Sequence, residues 1–140
     1  MSKRVFIDSD IILDLLCRRE PFYQDAAELF TLGDSRKIKL VTTSIVFANV
    51  FFILRKILGI EKAKEMLRKL RIIVSVISAD EKVVDLALNS RFSDFEDGLQ
   101  YFTARENDVR ILITRNIKDY RERDLTVQTP REYLHSRPDK

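Results

Sequence analysis

The sequence predicts an α/β fold, a three-layer α/β/α sandwich around a mainly parallel central sheet of four to five strands. Short β-branched runs alternate along the chain with longer stretches of helical periodicity. Strand-like runs at residues 5–7 and 40–42 lead directly into helix-start chemistry, Asp8-Ser9 and Thr43-Ser44. The chain has 140 residues, 45% of them hydrophobic, with three glycines and three prolines, which argues for a globular chain rather than a linker-rich or disordered one. The expected organisation is one domain over residues 1–140, long enough to bury a core.

Composition narrows the function classes. Lys and Arg number 25 against 22 Asp and Glu, a net charge of +3 that permits nucleic-acid binding without requiring it. The single cysteine, Cys17, excludes an internal disulfide framework and lies in an apolar run, as a small core residue would. No signal-peptide pattern opens the chain, and no apolar stretch approaches the ~18 residues of a transmembrane span. A cytoplasmic protein without membrane contact is expected.

Taken in order, residues 5–7 form a buried strand that ends at Asp8, followed by Ser9, Asp10 and a helix carrying Ile11, Ile12, Leu15 and Leu16. Asp8 or Ser9 can cap that helix, so the two carboxylates of the turn have a structural reading beside a chemical one. A second helix after Pro21 presents Ala26, Leu29 and Phe30, and a strand follows at 40–42. Thr43 and Ser44 open a helix to Leu58 that is apolar nearly all round, which predicts a central, buried element. Asn49 interrupts its surface and must find a hydrogen-bond partner or face a polar site.

Residues 61–71 form a basic amphipathic helix with Lys62, Lys64, Arg68, Lys69 and Arg71, either a solvated face or a phosphate-tracking one. A third strand is expected at 72–77 and a helix at 79–88. The return through 89–93 has to be nearly extended to span that helix. Ser93-x-x-Glu96 reads as a capping box, which gives Glu96 a structural task. Phe95, Leu99 and Phe102 form the apolar stripe of the next helix, with Asp94, Asp97 and Tyr101 on a neighbouring face. A strand at 110–114 ends in the polar tip Asn116 to Asp119, an edge strand is expected at 125–127, and a final helical turn at 130–135 carries His135, the only histidine.

Residues 93–119 organise the rest. A helix that feeds a parallel strand runs antiparallel to it, so Asp97 and the Asn116/Asp119 tip belong at one edge of the sheet. Asp8 and Asn49 reach the same edge from the first strand and from the helix after the second. Converging carboxylates without His or Cys suit hard oxygen-seeking cations, Mg2+ or Mn2+. Such an ion activates water and stabilises the leaving oxygen of a phosphodiester, so the site reads as a metal-dependent phosphodiesterase.

At these residues the sequence resembles the PIN-domain family, the ribonuclease fold that includes the VapC-type toxins of toxin–antitoxin pairs. VFIDSDIILDLL resembles the family's first motif with Asp8 as its acid, residues 43–49 its Ser/Thr-led helix start, SDFEDGLQ its acidic helix start with Asp97 as ligand, and ITRNIKDY its last motif. The resemblance implies a PIN-like fold, Mg2+ or Mn2+ as cofactor, RNA as substrate, frequent homodimers and often a small antitoxin protein as partner. Asp8, Asp97 and Asp119 are then the metal ligands, with Asn49 and Asn116 assisting at the catalytic site. Asp10, Asp94 and Thr43 are secondary ligands or positioning groups. Lys62, Arg68, Lys69, Arg71 and Arg115 are the candidate RNA contacts. Asn49 stands where the family usually has Glu, and Asn116 where many members have Asp; each amide brings an oxygen but no charge.

Two other readings remain at the level of sequence. One is a non-catalytic RNA-binding or interaction module whose metal site has decayed, suggested by Asn49. The other takes Asp8-Ser9-Asp10 as the D-x-D of a Mg2+-dependent haloacid-dehalogenase-type phosphatase. The later Gly-Asp-x-x-x-Asp pattern of that fold is absent from the chain.

Overall fold

The computed structural model describes residues 3–120, 122 and 124–137; residues 1–2 and 138–140 of the expected domain lie outside them. Five strands, β1 (Lys3–Ile7), β2 (Ile38–Thr42), β3 (Val74–Val76), β4 (Ile111–Ile113) and β5 (Thr126–Gln128), form one sheet in the order β3-β2-β1-β4-β5. Every neighbouring pair is parallel. The chain builds outward from β1 through β2 to β3, then returns to lay β4 on the other side of β1. The strand order therefore reverses between β1 and β4, and the crevice beyond their carboxyl ends is the place where open α/β sheets bind ligands.

Alternation along the strands sorts residues to the two faces. Val5, Ile7, Leu40, Ile111 and Ile113 enter one core with α1 (Ser9–Leu16), α2 (Tyr23–Asp34), α3 (Ser44–Leu58), α4 (Ile60–Ile73) and α7 (Pro130–Ser136). Phe6, Val41 and Leu112 enter the other with α5 (Glu81–Leu88) and α6 (Phe95–Glu106). These are the three expected layers.

Local chemistry sets the helix limits. Asp8 caps α1, Thr43 caps α3 through Val46 N, Asp80 caps α5 through Val83 N, and Thr129 with Glu132 forms a reciprocal capping box on α7. Gly59 ends α3 at φ +87°, a conformation costly to any residue with a Cβ.

Several elements differ from the sequence reading. Helix α4 runs through Ile72 and Ile73, shortening the third strand to Val74–Val76. The capping box at Ser93 does not form: Asp94 is the N-cap of α6 and accepts from Asp97 N. Helix α5 starts two residues later than expected, so the connection to α6 turns and bends instead of running extended. The buried central helix is α6, where residues 98 to 104 are all buried between the sheet and α5. On α3 only Val46, Val50 and Leu54 are buried, while Phe52 is 51% and Ile57 64% exposed. Hydropathy alone misassigned these two helices because α6 carries Gln100, Thr103 and two tandem aromatics on faces that other elements cover. Phe95, at the head of its expected stripe, is exposed.

Helix α6 approaches the loop before it closely. A Cβ on Gly98 would lie 3.3 Å from Cβ of Phe92 and 3.4 Å from Cβ of Ala87. Phe92 is wedged there against Tyr101, Phe102 and Tyr120, with ring centroids 5.4, 6.0 and 5.8 Å away. Gly98→Val should therefore lower unfolding stability by ~1–3 kcal/mol through overpacking, measured by urea denaturation, with Gly98→Ala losing less. A Val variant with the parental midpoint would mean that the 89–94 loop yields freely.

Candidate functional site

The carboxyl ends of β1 and β4 supply the site's first shell of groups. Asp8 follows the last residue of β1 and is locked there by its backbone, which donates to Ile113 O of β4 at 3.0 Å. Its Oδ1 accepts from Ser9 N at 2.7 Å, and its Oδ2 accepts from the hydroxyls of Thr114 at 3.0 Å and Tyr120 at 3.1 Å. Asp8 is therefore both cap and site residue. Asp10, the second residue of α1, turns Oδ2 to the end of β4, where Arg115 N, Asn116 Nδ2 and the Thr114 hydroxyl lie at 3.0, 3.2 and 3.3 Å. Its Oδ1 is buried with no hydrogen-bond partner among the described residues. That is an unusual state for a carboxylate oxygen and leaves a lone pair free for a ligand.

Asp97 comes from the first turn of α6 and faces the Tyr120 hydroxyl at 3.4 Å. It lines a cleft of about 260 Å³ together with Arg91, Phe92, Ser93, Asp94, Lys118, Asp119 and Glu122. Asp119 sits in a single 3-10 turn, Ile117–Asp119, close enough for its charge to act on Asp97. Asp97 and Asp119 are neighbours, as expected, whereas Asn116 turns its amide to Asp10.

The electrostatics are those of anions crowded together. Burial, then the charges of Asp94, Asp8 and Asp119, push the Asp97 carboxyl up to about 7. Burial and the charge of Asp8 push Asp10 up to about 6, against the opposing pull of Arg115. Burial also raises Asp8, although four hydrogen bonds oppose it. The Tyr120 hydroxyl, desolvated and facing Asp8 and Asp97, is held firmly protonated. Among the described residues no ion pair involves Asp8, Asp10 or Asp97.

The guanidinium at the end of β4 is committed elsewhere. Arg115 grips buried Asp14 through Nε at 2.7 Å and Nη2 at 3.1 Å and lies 3.8 Å over the Phe22 ring. This two-point grip, together with the stacking, takes Arg115 out of the pool of free RNA contacts. Arg71 bonds Val74 O at the start of β3, toward the amino edge of the sheet and away from the carboxylates; Arg68 and Lys69 lie in the preceding turn. Thr43 spends its side chain on the α3 cap. Asn49 Nδ2 donates to Glu96 Oε1 at 3.2 Å, tying α3 to the start of α6. That bond brings a carboxylate beside the amide, the opposite of the structural task that the sequence assigned to Glu96.

Several groups escaped the sequence reading. Thr114 enters there only as the end of a strand and Tyr120 is given no role, yet their hydroxyls converge on Asp8. Arg91 and Lys118 bring positive charge to the cleft as isolated loop residues outside any basic run. The phosphatase reading loses its nucleophile: Asp8 is buried and both its oxygens are hydrogen-bonded.

The donor set fits a hard divalent cation. It consists of oxygens alone, and among the described residues it is not neutralised by an ion pair and one buried oxygen lacks a partner. Among the described residues no three Asp, Glu, His or Cys side chains already close on one point as a metal cage. The carboxylates stand at one edge and not in a finished coordination shell.

The comparisons with known proteins agree with the fold. Ribonuclease VapC1 of Aquifex aeolicus (strain VF5) is 27% identical over 136 residues, covering 94% of each chain. Three solved structures share the fold. They are a toxin–antitoxin complex from Klebsiella pneumoniae (TM-score 0.67, 19% identity, 90% of this chain and 97% of that one), VapBC2 from Rickettsia felis bound to a DNA fragment from its promoter (0.68, 18%, 90% and 98%) and DNA-bound VapBC from Salmonella typhimurium (0.67, 15%, 93% and 99%). The PIN domain family profile matches residues 4–118, from the second residue of β1 to the 3-10 turn that carries Asp119, and the chain belongs to the PIN-domain family.

Proposed function

We propose that this chain is a metal-dependent endoribonuclease of VapC type, the toxin of a toxin–antitoxin pair, working as a single PIN-domain unit in the cytoplasm. The observation that carries the reading is the meeting of Asp8, Asp10 and Asp97 at the sheet's switch point without a neutralising ion pair among the described residues. The ribonuclease name of the Aquifex relative supports RNA as substrate, and the antitoxin complexes among the structural neighbours support a small protein partner. No described helix is long and apolar enough to cross a membrane.

Asp8 and Asp97 would hold the cation, with Asp119 beside Asp97 and Asp10 beside Asp8 to complete the ligand set. When bound, Mg2+ or Mn2+ supplies an activated water and neutralises charge at the scissile phosphate. The chain's own groups do the rest. Thr114 and Tyr120 orient Asp8 from behind, and Asn116 with the Arg115 amide orients Asp10. Arg91 and Lys118 offer cationic contacts to the flanking phosphates from the cleft wall. Asn49, in the place where the resemblance puts Glu, positions Glu96, so the charge missing at residue 49 is present one hydrogen bond away. The exposed Phe52 and Ile57 of α3 and Ile60 of α4 favour a homodimer through that helical hairpin.

The decayed-site reading is separated from this one by a cleavage assay on labelled single-stranded and transfer RNA with Mn2+, Mg2+ or EDTA. Cutting should need the metal and fall at least ~100-fold in Asp97→Asn, whose circular dichroism spectrum should match that of the parent. RNA left intact by a folded parent protein that still retains it would favour the decayed site.

The metal-free protein should also show the strain of its carboxylates. Asp97 and Asp10 are raised in the fold to about 7 and about 6 from 3.8, so the folded state keeps protons that the unfolded chain has released. Stability then falls as pH rises from about 4 through 7. In EDTA the melting temperature should be lower at pH 8 than at pH 5.5, and Mn2+ should restore more of it at pH 8. A flat profile would remove the crowded-anion account.

Phe52→Glu together with Ile57→Glu should turn a dimer into a monomer by light scattering. A parent that is already monomeric would rule out the hairpin interface.

A further inference from the structure

Tyr120 stands directly behind the carboxylates and belongs to neither strand nor helix. It is the residue after the 3-10 turn, 1% exposed, and its hydroxyl is within 3.1 Å of Asp8 Oδ2 and 3.4 Å of Asp97 Oδ1. Those two side chains come from β1 and from α6, 89 positions along the chain from each other, and the Tyr120 hydroxyl is a described side-chain group that contacts both. The ring is held on two sides, by Phe92 edge-on at 5.8 Å and by Tyr101 stacked at 6.4 Å. Tyr101 is itself anchored, accepting from Asp124 N and Leu125 N at 2.8 and 3.2 Å. The hydroxyl thus sits on a rigid mount.

We propose that Tyr120 is a positioning residue for the carboxylate site, its hydroxyl setting the separation and aim of Asp8 and Asp97 from the protein side. The inference rests on the metal-site reading above and deepens it. A hydroxyl has one proton and can satisfy one of the two carboxylates at a time. It therefore draws both acidic groups toward a common point without neutralising either, and each carboxylate keeps lone pairs for a cation, those of Asp8 beside its bonds to Ser9 N and Thr114. Groups that fix ligands from behind in this way carry a measurable share of metal affinity. A phenylalanine would fill the same space among Phe92 and Tyr101 and lack only this contact, so ring packing and hydroxyl function are separable.

The experiment compares the full-length protein with Tyr120→Phe, Asp97→Ala and the double variant. Free Mn2+ is followed by electron paramagnetic resonance at fixed pH. Tyr120→Phe should weaken Mn2+ binding ~10-fold or more while its cooperative urea unfolding persists. Binding within twofold of the parent assigns Tyr120 to core packing alone, and tighter binding means that the hydroxyl competes with the cation; either overturns the proposal. The second measurement needs no metal: the four proteins form an unfolding cycle in EDTA. Non-additive shifts in the urea midpoint for Tyr120→Phe and Asp97→Ala support the contact, and additive shifts overturn it. A parent that binds no Mn2+ would sink the metal-site reading, and the cycle would still decide whether Tyr120 holds Asp97.

Discussion

Fold and site are joined at Asp8. Its main-chain N–H closes the ladder between β1 and β4, one carboxylate oxygen caps α1, and the other gathers the hydroxyls of Thr114 and Tyr120. Each of these contacts would recommend the residue for a structural role, and together they bury a carboxylate that burial alone would keep protonated. The hydrogen bonds oppose that tendency in part and fix the carboxylate at a defined point. Whatever chemistry the edge performs depends on this compromise between desolvation and hydrogen bonding.

The remaining acids are brought to Asp8 by topology. Because β1 is the strand from which the sheet grows in both directions, the residues after β4 and those starting α1 meet across a single strand gap. Helix α6 runs against β4, so its first turn returns Asp97 to the same edge. The burial of α6 along seven consecutive residues makes that return precise, and Phe92 and Gly98 set how closely the helix start can approach the loop. Asp97 remains half-buried, which allows its charge to be felt by a ligand and by Asp94 and Asp119 alike.

Much of this was legible in the sequence because it depends on order and period. The β-branched runs, the cap residues and the rule that a parallel sheet sends helix starts and strand ends to one edge placed Asp8, Asp97 and Asp119 together. What was not legible depends on packing partners. The apolar surround of α3 reads as burial, but Phe52 and Ile57 face away from the sheet. The mixed surround of α6 reads as half-exposed, but the sheet and α5 cover it. Likewise a trailing Tyr120 carries no periodic signal, since its role comes from a 3-10 turn that aims one hydroxyl backward. Single-residue contacts made across 112 or 106 positions of sequence, such as Tyr120 to Asp8 and Thr114 to Asp8, leave no local pattern.

The position of Arg115 decides what kind of ligand the edge can accept. Its backbone N–H serves Asp10, while its guanidinium is turned to Asp14, a carboxylate 1% exposed that Arg19 also approaches, at 3.9 Å. Stacking on Phe22 fixes the plane of that pair. Had the same guanidinium pointed to Asp8 or Asp97, the anions would be neutralised within the protein and a divalent cation would find little to bind. Held away, it leaves the carboxylate charge in place, and under the proposed function a phosphodiester approaching Asp8 and Asp97 would meet repulsion that a cation would relieve. The salt bridge to Asp14 is therefore consistent with the metal reading from outside the site: the guanidinium at the end of β4 is spent on the core of α1, and among the described residues Asp8, Asp10 and Asp97 stay outside any ion pair.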